Sequence, residues 1–431
     1  MLLAVLIATA GIIIGHYNRT QPPHLGEGIH IVEKEGRFYL FIDGVETYIK
    51  GIGGSNRLYH ASAHGANAFR TWGGSVERVK ANLALAEEHN MFLMQGIWLS
   101  QDSIDFHDEE YKTRIREFVR TLVEAVHGHP KLLIWGIGNE IDLGTANTPT
   151  AWRFVNELAL LIRSIDERAI LSAVITHNAE ALNMIAVYAP AIEMIGINSY
   201  GSIGGVQSLV ENSLWQGPYM ITEWGPTGFW ETSLTEWGAP LEETSEEKRL
   251  VYEHRYINYI RHAPRCLGSF VFLWGQKQER TPTWFSMFVE SNVEGLPLKG
   301  EKTPMVEVME RVWTGIEPTQ TAPVVRGVYI NGRRPIESVR VRRGETFVGK
   351  VDAFDREGDT LTYVWEVMKE ATILGFGGSF EPRPDRVGEV QTTTQNTVEI
   401  SIREPGNYRL FVYVLDGTGF VGTANIPFQV Q

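Results

Sequence analysis

YMITEWGPTGFW, residues 219–230, decides the reading of this chain. The apolar run Tyr219-Met220-Ile221 reaches Thr222 and then a carboxylate, Glu223, and Trp224-Gly225-Pro226 ends the strand at once. A buried strand that stops on an acid beside a turn places that acid at a strand end. The decisive matter is how many strands of this kind the chain holds.

Seven other segments share the pattern: YIKGIG (48–53), NAFRTW (67–72), FLMQGIWL (92–99), LLIWGIGNE (132–140), ILSAVIT (170–176), EMIGINSY (193–200) and LGSFVFLW (267–274). Helix-like segments lie between strands, among them SVERVKANLALAEEHN (75–90) and YKTRIREFVRTLVEAVHG (111–128). Eight strand–helix units over about 270 residues predict a (β/α)8 TIM barrel. A doubly wound open sheet is the alternative; GIGGSN after the first strand lacks its dinucleotide fingerprint. A hairpin, RFYLFIDGVETYIKG, with Asp43-Gly44 as its turn, leads into the barrel. The barrel with its hairpin is expected over 28–315 and a Pro/Thr-rich linker over 316–323. A small all-β immunoglobulin-like (PKD-like) sandwich is expected over 324–431, from short strand patterns punctuated by Gly and Asp.

Bulk properties narrow the function. Of 431 residues, 43% are hydrophobic and 21% charged, a globular composition. The net charge of -13 argues against nucleic acid or an anionic membrane as partner. A neutral or cationic partner fits, and 12 Trp, 15 Tyr and 19 Phe suit sugar faces as well as a core. The single cysteine, Cys266, precedes an apolar run and is expected to pack as a small hydrophobe. Fourteen of the first fifteen residues are apolar, Gly or Ala, with Thr9 the exception. Residues 1–20 read as a signal peptide with an Ala8-Thr9-Ala10 cleavage triplet, or as an uncleaved N-terminal anchor. Both predict a secreted, periplasmic or cell-surface location. Oligomeric state is not legible.

In a barrel of this class the site lies at the carboxyl ends of the strands. Those ends carry Arg70 and Trp72, Trp98, Asn139 and Glu140, His177, Asn198 and Tyr200, Glu223 and Trp224, and Trp274. Two carboxylates facing one cleft are the minimum set for splitting a glycosidic bond. One protonates the leaving oxygen; the other attacks the anomeric carbon or activates water. Arg70 and the Tyr200 hydroxyl are placed to hold one carboxylate ionised, and Asn139 to hold the sugar hydroxyl beside the reacting carbon. Each has a plainer alternative: an acid as helix cap, Arg70 as a structural ion pair, His177 as the opening of a helix, Trp274 as core. HGHP (127–130) precedes a strand, on the stability face, so no metal is expected there.

GNE at the end of the fourth strand and Glu at the end of the seventh resemble the clan A, or 4/7, retaining glycoside hydrolases. The hairpin running into YIKGIGGSN resembles the entry to the barrel of glycoside hydrolase family 2, and the likeness covers roughly residues 30–315. The resemblance implies double displacement, with Glu140 as acid/base, Glu223 as nucleophile, Asn139 on the 2-hydroxyl and Trp274 flooring the subsite of the attacked sugar. It implies no cofactor. The substrate expected is a β-linked polysaccharide or oligosaccharide, a β-glucan first. A transglycosylase with the same two glutamates and a non-catalytic glycan-binding surface protein are the competing readings. The loop 225–248 offers Trp230 and Trp237 as further sugar platforms, or is a packed lid. The acids Asp352, Asp355, Glu357 and Asp359 suggest a turn rather than a calcium loop, since EF-hand spacing is missing.

Overall fold

The computed structural model describes residues 26–290, 293, 295–375 and 379–431. The expected leader over 1–20 lies outside them. Eight parallel strands close into a barrel: β4 (Ile49–Gly53), β5 (Ala68–Thr71), β6 (Phe92–Ile97), β7 (Leu132–Asn139), β8 (Ile170–Ile175), β9 (Met194–Asn198), β10 (Tyr219–Trp224) and β11 (Cys266–Val271). Closure is made by β11 on β4, with Gly268 opposite Ile49 and Val271 opposite Ile52. This excludes the open sheet.

Strands β1 (Ile29–Lys34), β2 (Arg37–Ile42) and β3 (Val45–Glu46) form a small antiparallel sheet ahead of the barrel. Asp43 (φ 50) and Gly44 (φ 79) make its tight turn in left-handed backbone, where glycine is unstrained and aspartate tolerated. Leu40 and Ile42 of β2 join barrel-interior residues such as Met94, Leu133, Met220 and Phe270 in one core cluster. The sheet thus plugs the barrel's N-terminal end and leaves the carboxyl end as the open face.

Helices α1 (Leu58–Ala63), α2 (Val76–Glu88), α3 (Glu109–Val126), α4 (Pro149–Arg163), α5 (Ala179–Tyr188), α6 (Val206–Glu211), α7 (Ser245–Arg255) and α8 (Pro304–Thr314) follow the strands. Their starts are written locally. Asp108 caps α3 through Glu110 N, Thr148 precedes Pro149 at α4, and Thr244 with Glu247 forms a capping box on α7. Among the described residues no helix is long and apolar enough to cross a membrane.

A short pair, β12 (Phe288–Glu290) and β13 (Lys299–Lys302), precedes α8. The C-terminal β domain then has two sheets. One orders β14 (Val324–Ile330), β16 (Thr346–Phe354) and β19 (Thr397–Ser401). The other orders β15 (Arg340–Val341), β21 (Val421–Val430), β20 (Gly406–Leu415), β17 (Thr362–Lys369) and β18 (Gln391–Thr393). Val325, Phe347 and Val351 of the first meet Trp365, Leu410, Ile426 and Phe428 of the second in one core. Asp355 Oδ1 accepts from the N–H groups of Glu357 and Asp359, both at 2.9 Å, which is turn chemistry.

The β domain is not tethered loosely. Val289, Leu296 and Leu298 from the barrel side share a cluster with Val364, Phe411, Tyr413 and Val421. Beside it, the buried Glu242 carboxylate accepts from Lys248 (2.6 Å), Thr281 (2.6 Å), Thr283 (2.8 Å) and Asn425 (2.5 Å). A buried ion with this many donors is satisfied only when both parts of the chain are in place. The loop 225–248 is therefore held from both sides. Trp237 lies half-buried under the Arg340 guanidinium, 5.7 Å from its ring, and is not in the wall of the cleft that holds Glu140 and Glu223.

Candidate active site

The open end of the barrel holds a cleft of about 780 Å³, lined by residues at or just beyond the ends of β5 to β11 and by the loops that follow. A cavity of this size fits a ligand larger than one small sugar. Glu140 and Glu223 both line it, with Trp72, Trp98, Asn139, His177, Asn198, Tyr200 and Trp230.

Glu140 owes its position to a break in β7. Pairing with β8 shifts register between Ile137 and Asn139, and Gly138 there has φ +77. Glu140 itself sits at φ +51, a costly backbone for a residue with a side chain. Its N–H donates to Val174 O at 2.9 Å and its carbonyl accepts from Gln101 Nε2 at 3.1 Å, which hold the bend. Gly138 takes its left-handed backbone without strain and leaves room beside Ile141, so the bend can turn Asn139 and Glu140 into the cleft, and this is the physical sense of GNE.

Glu223 ends β10 and is 8% exposed. Its Oε1 accepts from Arg70 Nη1 at 2.9 Å and from Trp72 Nε1 at 2.7 Å; its Oε2 accepts from Tyr200 Oη at 3.2 Å. Arg70 is buried, so it cannot shed the pair to water. Its Nη2 also donates to Asn139 Oδ1 at 2.5 Å. Asn198 Nδ2 donates to Glu140 Oε1 at 2.8 Å, while its Oδ1 accepts from Thr222 Oγ1 at 2.8 Å. One continuous network therefore joins both carboxylates through Arg70, Asn139 and Asn198.

The environments of the two acids differ. Burial, and then the Glu223 charge, push Glu140 up to about 8, against the pull of Asn198. Burial holds the Tyr200 hydroxyl well above its ordinary range, so it stays a donor. The surroundings of Glu140 thus favour its protonated form, while Glu223 is a carboxylate held by three donors.

Three expected residues do not line the cleft: Arg70, buried behind Glu223, and the tryptophans Trp224 and Trp274. Trp224 is fully buried against Tyr252 and Tyr256, with ring centroids 5.3 and 6.0 Å away. Successive residues of a strand point to opposite faces, so Glu223 facing in turns Trp224 out toward the helices. Trp274 is also fully buried, with its Nε1 on Arg57 O at 3.3 Å and its ring beside Phe288 and Trp313. Strand β11 ends at Val271, and the chain leaves the strand before Trp274; Phe272 is the aromatic residue at the cleft, against Trp72 and Tyr200.

The remaining expected residues line the cleft in different ways. Trp98 and Trp230 line the cleft at 48% and 56% exposure, Trp230 with its ring edge-on to Tyr200 and Phe229. His177 Nδ1 lies 3.2 Å from Ser199 Oγ, and burial lowers its pKa; Asn178, not His177, caps α5. His129 of HGHP sits before β7, at the opposite end of the barrel. Among the described residues no group of three or more His, Cys, Asp or Glu is placed to hold a metal ion. Cys266 is buried and free.

Other lining residues come from loops without a periodic signal. Lys277, Glu279 and Arg280 follow β11, and Gly375 and Ser379 come from the β domain. Lys277 Nζ pairs with Glu279 at 2.6 Å.

No protein-family model and no curated protein matches the sequence. Solved structures do. A β-glucuronidase of Bacteroides uniformis matches with TM-score 0.50 and 12% identity over 94% of this chain and 48% of its own. The β-glucuronidase 2 of Bacteroides uniformis, covalently bound to cyclophellitol-6-carboxylate aziridine, gives 0.51 and 13% over 94% and 48%. The β-D-glucuronidase of Dictyoglomus thermophilum gives 0.50 and 14% over 67% and 54%. The chain spans about half the length of each of these structures. At such identities the likeness is one of fold: a closed eight-stranded parallel barrel followed by β structure.

Proposed function

We propose that this protein is a retaining β-glycosidase related to the clan A and family 2 glycoside hydrolases. The observation that carries the reading is the contrast between the two carboxylates: Glu223 held by Arg70, Trp72 and Tyr200, and Glu140 pushed up to about 8 in the same cleft. Protonated Glu140 gives its proton to the glycosidic oxygen as the bond breaks, and Glu223 attacks the anomeric carbon. Glu140, now ionised, takes a proton from water, which then releases the sugar from Glu223. Asn139 spends its Oδ1 on Arg70 and Asn198, which leaves its amide Nδ2 for the 2-hydroxyl. Phe272 takes the flooring role expected of Trp274.

The covalent complex of the Bacteroides uniformis enzyme supports the double-displacement form. Proton NMR of the first-formed product tests it. A β-anomer appearing first agrees with retention; an α-anomer appearing first refutes it.

The substrate proposed from the sequence is a β-glucan chain, for which the exposed, cleft-lining Trp98 and Trp230 are suited. A second reading, a β-glycuronide, is favoured by the cations Lys277 and Arg280 in the cleft wall and by the names of the structural neighbours. Parallel assay on aryl β-glucoside, aryl β-glucuronide and β-glucan oligosaccharides separates the two. Carbohydrate as sole partner and export through residues 1–20 belong to the same proposal.

A further inference from the structure

We propose that His177, Ser202 and Glu231 form a hydroxyl-binding subsite in the wall of the cleft, built around the short turn Gly201–Gly205 and suited to a neutral unit of the bound carbohydrate. The inference rests on the glycosidase reading. All three residues line the cleft that holds Glu140 and Glu223, and Ser199 lines it with them. His177 Nδ1 lies 3.2 Å from Ser199 Oγ, which lies 3.1 Å from Ser202 Oγ, so one chain of hydrogen bonds joins the end of β8 to the turn after β9. Glu231 is anchored by one oxygen. Its Oε2 accepts from Gly201 N at 2.7 Å and from Gly228 N at 3.1 Å. Its Oε1 takes no hydrogen bond from any described residue, and His177 Nε2 likewise makes none with them.

The sequence of the turn, Gly201-Ser202-Ile203-Gly204-Gly205, makes room for these side chains. A Cβ at Gly201 would lie 2.7 Å from the Glu231 carboxylate, and one at Gly205 would lie 3.3 Å from His177 Cε1. Glycine at both positions lets two polar side chains of the cleft wall press onto one piece of backbone. Burial lowers the His177 pKa and the Glu231 charge opposes it, so the two side chains sense each other across the turn. Trp230, next to Glu231, meets the Tyr200 ring edge-on at 5.4 Å, and Tyr200 donates to Glu223 at 3.2 Å. The subsite therefore adjoins the reacting carboxylates. A fixed oxygen that only accepts, beside an imidazole nitrogen and a serine hydroxyl that can donate, matches the hydroxyl groups of a sugar, each of which does both. An anionic unit would meet the Glu231 charge, so the unit that binds here is neutral.

The test compares wild type with Glu231→Gln, Glu231→Ala and Ser202→Ala on whichever neutral oligosaccharide of the β-glucan, mannan, xylan and galactan series wild type cleaves fastest. A glutamine amide oxygen still accepts from Gly201 N and Gly228 N, so Glu231→Gln keeps the anchor and loses the charge. The expected result is that Glu231→Gln raises KM about tenfold, with kcat within about twofold of wild type and an unchanged melting temperature, and that Ser202→Ala raises KM about threefold. A residue that only clamps the turn gives another pattern: Glu231→Gln matches wild type and Glu231→Ala alone is impaired. That pattern, or a loss in kcat alone, overturns the subsite while leaving the glycosidase reading intact. Turnover by wild type confined to an aryl β-glucuronide does the same. Absence of turnover by wild type on every neutral oligosaccharide and on the glucuronide overturns the glycosidase reading and the subsite with it.

Discussion

Arg70 Nη1 donates to Glu223 Oε1 at 2.9 Å, and the same guanidinium reaches Asn139 Oδ1 through Nη2 at 2.5 Å. One buried cation thus positions both Glu223 and Asn139, the residue next to Glu140. Replacing Arg70 with Met keeps the volume and removes the charge, so Glu223 is left buried with two neutral donors. Removing one partner of a buried pair costs about 3–5 kcal/mol. Chemical denaturation should show that loss, and kcat should fall with it. A variant as stable and as fast as wild type would place the pair outside the mechanism.

Glu223→Gln keeps the shape of the side chain but removes its charge and turns one acceptor oxygen into an NH2 donor, so no nucleophilic carboxylate remains. Turnover should drop by about three orders of magnitude or more, as for loss of a group acting in the reaction. Circular dichroism should stay that of wild type.

The pH dependence follows from Glu140. The active form carries the proton, and the group is pushed up to about 8. The rate should therefore hold through neutral pH and decline as pH rises past about 8, where Glu140 ionises. The Glu223 charge is part of what raises it. In Glu223→Gln that charge is gone, the ionised form is easier to reach, and a carboxyl-carbon NMR titration should find Glu140 lower than in wild type. An unchanged value would mean that the two acids do not sense each other.

Phe272 and Trp274 should separate chemistry from stability. Phe272→Leu removes the aromatic face at the cleft but keeps most of the buried volume, so it should lower kcat/KM about tenfold or more with a modest effect on melting. Trp274→Phe disturbs packing against Phe288 and Trp313, so it should lower the melting temperature while active-site titration finds the folded fraction working at the wild-type rate. The opposite pattern would restore Trp274 to the site.

Glu307 offers a stability test away from the cleft. It is buried in α8, accepts from Ala322 N, and burial pushes it from 4.5 up to about 8. A folded-state value above the unfolded one means that its contribution is full below about 4.5 and is lost as pH rises toward about 8. Glu307→Gln keeps the acceptor and removes the titration, so the decline in melting temperature over that range should flatten. The same slope in both proteins would exclude Glu307 as its source.

The eight barrel strands were legible because each is a short buried apolar run bounded by polar turns. Strand ends alone then brought Arg70, Asn139, Glu140, Asn198, Tyr200 and Glu223 to one network. Trp224 and Trp274 were misplaced for a narrower reason. One step along a strand reverses a side chain, and the sequence does not mark Val271 as the last residue of its strand. The cleft walls at Lys277, Arg280, Gly375 and Ser379 come from irregular backbone. Their positions depend on Glu381 and Glu242, whose partners lie far away in the chain.

The most direct measurement is chromatography of products after incubating wild type and Glu223→Gln with β-1,2-, β-1,3-, β-1,4- and β-1,6-glucans, mannan, xylan, galactan and an aryl β-glucuronide. The account predicts new, shorter products from one substrate class with wild type alone; products longer than the substrate would mean that the same intermediate is passed to a sugar. Identical products from both proteins, or glycan binding by wild type without any turnover, would contradict the assignment of Glu140 and Glu223 as a catalytic pair.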